Sequence, residues 1–190
     1  MLKILALISS LFISQISHAQ QAAAKAYVSL NPAGDFVGQL KATGSATVTG
    51  SKVSAKNIVV DMKSLTTGLD LRDDHAKNKY LEVGKYPEAV LTEATGENGV
   101  GSGILKFHGQ EKPVKGTYTI SGKNLKADFD IKLSEFGIAD INYKGIGVED
   151  KVKIEVNVPI VAATSPPPAA AAGAPTGKPA TVKPSQPLKK

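Results

Sequence analysis

The densest cluster of ionisable groups in the chain is Arg72-Asp73-Asp74-His75. A histidine beside carboxylates is the composition of a general base or of a metal site. Consecutive side chains do not converge on one ion without help from elsewhere, and beyond the first 19 residues His75 and His108 are the remaining histidines. Alternation with Leu105 and Phe107 predicts that His108 faces solvent. Arg72 and Asp73 are therefore read first as groups that pair locally or anchor an irregular segment, whose backbone needs polar partners. Gly99, Gly101 and Gly103 lie between two alternating runs with no helix to receive a phosphate, so they read as a turn signal. The chain contains no Gly-x-Ser-x-Gly elbow, Walker motif or His-Glu-x-x-His pair. No histidine stands at a strand end where serine and aspartate could complete a hydrolytic triad. Cysteine is absent, which removes thiolate nucleophiles, thiolate metal ligands, disulfides and a lipid-modified cysteine. These observations point to a binding protein rather than an enzyme, with no metal site.

Charge narrows the partners. The formal net charge is +6, but Lys3, Lys178, Lys183, Lys189 and Lys190 lie near the two ends, and removing them from the 23 basic residues leaves 18 against 17 acidic ones. A nearly neutral domain lacks the electrostatic footprint of a nucleic-acid binder, and its sparse aromatics form no evident stacking platform. Lys3, the apolar run Ile4 to Ile16, and the small residues Ser17 and Ala19 read as a cleavable signal peptide at 1–19, with the mature chain starting at Gln20. The apolar run is too short for a typical bilayer-spanning helix, which needs about 20 residues. From Ala162 to Lys190, Ala and Pro supply 15 of 29 residues. Such a segment buries too little apolar surface to offset its ordering entropy and is expected to be a disordered tail. Its four lysines could touch a membrane or cell wall; a solubilising tail is the simpler reading.

Between these ends the apolar residues recur at every second position, the period of a strand with one buried face. Leu125, Ala127, Phe129, Ile131 and Leu133 alternate with Lys126, Asp128, Asp130 and Lys132. Val152, Ile154, Val156, Val158 and Ile160 repeat the pattern, and shorter versions occur around Phe36–Ala42, Ile58–Met62, Leu105–Phe107 and Val114–Ile120. Turn residues at Thr49-Gly50-Ser51, Gly96-Glu97-Asn98-Gly99, Gly109 to Pro113 and Ser121-Gly122-Lys123-Asn124 separate the runs. The short connections predict antiparallel neighbours. Residues 69–83 break the alternation and predict a short helix from near Asp70 that ends before Gly84. About eight such strands either close into a barrel or stack as a sandwich, and periodicity leaves that choice open. Residues 20–161 are long enough for one domain with its own core.

The inner face is the remaining candidate for function: Val60, Met62, Leu105, Phe107, Val114, Tyr118, Phe129, Ile131 and Val156 either fill the interior or surround one apolar ligand. Resemblance enters at Ser64-Leu65-Thr66-Thr67-Gly68, followed by Leu71 to His75, Tyr80-Leu81 and Tyr86-Pro87. With Gly103 to Gly109, Lys112-Pro113-Val114 and Phe136-Gly137-Ile138, this ordered set resembles the YceI-like family over roughly residues 36–161. The resemblance implies an exported, antiparallel, eight-stranded lipocalin-like barrel. It implies an apolar cavity for a polyisoprenoid, such as an isoprenoid quinone, or another amphiphilic lipid, and no catalytic residues. On that reading Val60, Met62, Leu65, Leu105, Phe107, Tyr118, Phe129, Ile131 and Phe136 contact the lipid, and Arg72, Asp73 and His75 stand near the mouth. The expected role is a periplasmic or secreted lipid carrier that needs no cofactor. The alternative is a filled barrel acting as an envelope interaction protein through its tail; a homodimer through outer strand surfaces is open under either.

Overall fold

The computed structural model describes residues 21–32, 34–143 and 145–162. The expected signal peptide and the tail beyond Ala162 lie outside the described residues. The alternating runs form β1 (Ala23–Asn31), β2 (Asp35–Thr43), β3 (Ala46–Thr49), β4 (Lys52–Thr66), β5 (Glu88–Glu97), β6 (Val100–Phe107), β7 (Gln110–Ser121), β8 (Asn124–Lys132), β9 (Asn142–Tyr143), β10 (Ile146–Val148) and β11 (Lys151–Val161). Eight of them close a ring in which each pairs antiparallel with the next, in the order β1, β2, β4, β5, β6, β7, β8, β11 and back to β1. The remaining short strands sit at the ends of this ring. β3 bridges β4 and β11, pairing parallel with β11 where Ile160 meets Ala46. The β9–β10 hairpin extends the far end of β1.

The helical interruption is α1 (Asp70–His75), continued by a π-helical turn over Ala76–Tyr80. Tight hairpins follow the predicted turn chemistry. Asn98-Gly99 joins β5 to β6 with both residues at positive φ, as a type I′ turn demands. His108-Gly109 does the same between β6 and β7, so β7 begins at Gln110 and the expected loop through Pro113 is strand. Of the three alternate glycines, Gly99 is in a turn whereas Gly101 and Gly103 are inside β6. A Cβ on Gly96, paired opposite Gly101, would lie 2.6 Å from the Tyr118 ring. These glycines let an aromatic ring lie against bare strand backbone, which covers it from water.

The ring's outer face carries an alternating charge ladder: Lys151 to Asp130 at 2.8 Å, Lys153 to Asp128 at 3.3 Å and Lys126 to Glu155 at 2.9 Å. Opposite charges meet across β8 and β11, which is why many ionisable groups leave little net field. Inside, two apolar clusters stack along the ring. One gathers Met62, Leu105, Phe107, Ile131, Leu133, Phe136, Ile138 and Val152; the other gathers Ala22, Ala24, Ala42, Ala46, Val53, Ile58, Leu125, Val156 and Val158.

Candidate functional site

The larger-residue half of the ring does not close on itself. It surrounds a cavity of about 780 Å³ whose walls are almost wholly aliphatic and aromatic. Inward positions of β1, β2, β4, β5, β6, β8 and β11 supply the walls, among them Val28, Leu40, Val60, Met62, Leu91, Leu105, Phe107, Phe129, Ile131 and Ile154. The period of two places each strand's apolar set here. A bulge between β2 and β4 shapes one wall: Gln39 pairs with Thr66, but Lys41 pairs with Asp61. The looped-out residues are held by Ser64, whose hydroxyl accepts from the Lys41 amide at 2.8 Å and donates to the Asp61 carbonyl at 2.6 Å. Leu65 is thereby turned inward over Gly38, where an added Cβ would stand 2.8 Å from the Leu65 Cδ1.

The ionisable cluster builds the rim of this cavity. Thr67 is its hub. Its amide donates to Asp73 Oδ1 at 2.8 Å and its hydroxyl donates to the same oxygen. Arg72 donates from Nε to the Thr67 hydroxyl and from Nη2 to the Thr67 carbonyl, both at 2.8 Å. Asp73 and Arg72 thus anchor the start of α1 to the end of β4 by sharing one threonine. Burial alone would push the Asp73 carboxyl up, but the Thr67 hydroxyl and amide, the Thr66 hydroxyl and Lys77 outweigh it and leave its pKa below the ordinary value. The Arg72 guanidinium also stacks 4.1 Å over the Phe36 ring, so its flat face roofs a cavity-lining aromatic.

Two further contacts tie α1 to the β9–β10 hairpin across the opening. The His75 ring meets Tyr143 edge-on at 4.9 Å, and the Tyr80 hydroxyl donates to the Asn142 carbonyl at 2.9 Å. Among the described residues no three His, Asp or Glu side chains gather to hold a metal. The arrangement offers an apolar container with a small polar rim.

Of the residues singled out from sequence, Val60, Met62, Leu65, Arg72, His75, Leu105, Phe107, Phe129 and Ile131 line this cavity. Neither Asp73 nor Phe136 lines the cavity: Asp73 lies behind the rim, and Phe136, expected to touch the ligand, is instead packed behind the wall, 1% exposed and 5.3 Å from the Phe107 ring. Tyr118 lines a separate space of about 90 Å³ at the other end. The expectation that His108 faces solvent is overturned: its Nδ1–H donates to the Phe136 carbonyl at 2.9 Å and its ring lies 4.3 Å from Tyr86. Its φ of +48° ends the strand at Phe107, so the alternation that would turn it outward stops one residue earlier.

Sequence reasoning passed over Thr67, the hub; its signal was a threonine before Gly68 and a few residues ahead of an Arg-Asp pair. Phe36, on β2, was also passed over as a lining residue, as were Tyr80, Tyr143 and Ile146, because the hairpin and the helical turn meet the ring only through the fold.

A comparison decides the family. The profile of the YceI-like domain matches residues 15–160. The chain belongs to the YceI-like domain family. Members of this family are non-catalytic lipid-binding proteins, generally periplasmic or secreted, and this YceI-like chain is not an enzyme. No curated protein matches the chain. Its fold is similar to that of BcnA from Burkholderia cenocepacia, with TM-score 0.57 and 18% identity over 72% of this chain and 94% of that one. A polyisoprenoid binding domain from Saccharophagus degradans, implicated in plant cell wall breakdown, aligns at TM-score 0.47 and 15% identity over 72% of this chain and 91% of that one.

Proposed function

We propose that this YceI-like protein is an exported carrier that holds one polyisoprenoid, or a lipid of similar shape, inside a lipocalin-like barrel. The observation that carries the reading is the cavity of about 780 Å³ with apolar walls. That size is within the roughly 300–1,000 Å³ of sites for small organic ligands. Water gains little there, because each buried water needs about 2–4 polar partners and the walls supply almost none. A branched hydrocarbon chain gains about 0.8 kcal/mol for each methylene-sized group it buries, so affinity accumulates along the tail without polar recognition. Val60, Met62, Leu65, Leu105, Phe107, Phe129 and Ile131 are assigned to the tail, with Arg72 and His75 at the head-group end. The open interior favours this carrier over a filled, purely structural ring. The segment read as an export signal at 1–19 and the lysine-bearing tail fit a protein that works in the cell envelope, and the tail is assigned a solubilising role.

Native mass spectrometry of protein purified without detergent from its own host tests the reading. A discrete lipid adduct that leaves on denaturation is expected. A bare polypeptide that also takes up no isoprenoid quinone or isoprenol would sink it.

A further inference from the structure

The cavity's edge has a property its interior does not require. Leu69, Leu71, Tyr143 and Ile146 line the cavity, yet remain 57%, 60%, 41% and 47% exposed. They come from two elements, the entrance to α1 and the β9–β10 hairpin, held together by the His75–Tyr143 ring contact and the Tyr80–Asn142 hydrogen bond. Of the other large exposed hydrophobics among the described residues, Val100 and Ile120 belong to the opposite hairpin ends, Val37 lies within β2 and Val161 ends β11, and none of them borders this cavity. At Leu69, Leu71, Tyr143 and Ile146 the apolar surface therefore continues from the cavity wall to the solvent, beside the polar rim groups Asp70, Arg72 and His75.

We propose that this rim docks the protein on the surface of a lipid bilayer, with Leu69, Leu71, Tyr143 and Ile146 entering the head-group and acyl boundary. The extent of the patch selects this occupant over a second copy of the chain. Four side chains about half exposed present roughly 300–450 Å², against the approximately 800 Å² per partner of a stable protein interface. A patch of that size suits shallow, reversible insertion. Nearby charge is balanced, with Asp70 and Asp74 against Lys77 and Lys79, so insertion is driven by apolar burial rather than by anionic lipid. The docking rests on the carrier reading for its purpose: a ligand passing between bilayer and cavity would meet apolar surface throughout.

The test is sedimentation of the purified chain with phosphatidylcholine vesicles. Cosedimentation is expected, with a Leu69→Ser, Leu71→Ser double variant losing at least about tenfold in partitioning. A Val100→Ser, Ile120→Ser double variant keeps the wild-type value, and phosphatidylglycerol in the vesicles changes it less than about twofold. A chain that stays in the supernatant, or equal losses in both double variants, overturns the proposal. So does a lipid-free dimer that the Leu69, Leu71 variant dissolves, which would give the patch to a second copy. Uptake of a fluorescent isoprenol from solution, measured without vesicles, separates the two readings. Uptake without sedimentation overturns docking alone, whereas sedimentation without uptake supports docking and overturns the carrier.

Discussion

The two halves of the ring are built from the same eight strands but solve opposite problems. Around Met62, Leu105, Phe107 and Ile131 large side chains stand back from one another and leave a cavity of about 780 Å³. Around Ala24, Ala42 and Ala46 small ones let the strands close in, and the space left beside Tyr118 is only about 90 Å³. A container thus results from where bulk is placed, since side chains that cannot meet across a ring cannot fill it. The closed half supplies a floor and the helical turn with the β9–β10 hairpin supplies a rim.

Substitutions should separate the two modes of packing. The largest loss is expected where the wall is solid: Phe136→Ala removes a fully buried ring against Phe107 and should cost about 3–5 kcal/mol in denaturant unfolding. A cost below that of an ordinary surface change would show that the wall behind the cavity is as loose as the cavity itself.

Next comes the rim. Asp73→Ala removes the acceptor of two Thr67 hydrogen bonds and should cost about 1.5–3 kcal/mol. Because the folded-state pKa of Asp73 is depressed, its contribution is full above the ordinary aspartate value of about 3.9 and is lost as pH falls through the lower folded value. The alanine variant should therefore lose stability relative to wild type at neutral pH and converge with it in acid. A gap that widens as pH falls would contradict the assignment.

The smallest effects compare glycines directly. A Cβ on Gly116, in the closed half, would lie 2.2 Å from the Asp128 carbonyl oxygen, whereas one on Gly38 meets the movable end of Leu65 at 2.8 Å beside open space. Gly116→Ala should cost about 1–3 kcal/mol and Gly38→Ala less than about 1 kcal/mol in thermal unfolding. Equal costs would erase the contrast between the halves.

Much of this was legible beforehand because strand periodicity is a local property. The alternation of Leu125 to Ile131 and of Val152 to Ile160 became β8 and β11 with their apolar sides inward, with Leu133 passing into a 3-10 turn over Leu133–Phe136, and Asn98-Gly99 made its hairpin. His108 was misread because a two-residue turn reverses the direction that alternation would assign. Thr67 went unassigned because its role depends on two partners that only the turn at Gly68 brings back to it. Tyr118 was grouped with the ligand-facing residues because periodicity gives a side chain's face but not its height along the ring.

By itself the sequence determined which residues form strands, which side of each faces inward, where the chain turns and that the interior is apolar, since all of these follow from neighbours a few positions apart. Only the tertiary structure decided that the strands close into a ring, that one half is hollow and the other packed, and that α1 meets the β9–β10 hairpin at the rim. Those outcomes depend on register and on the summed volumes of side chains from strands distant in the chain, which no local pattern encodes.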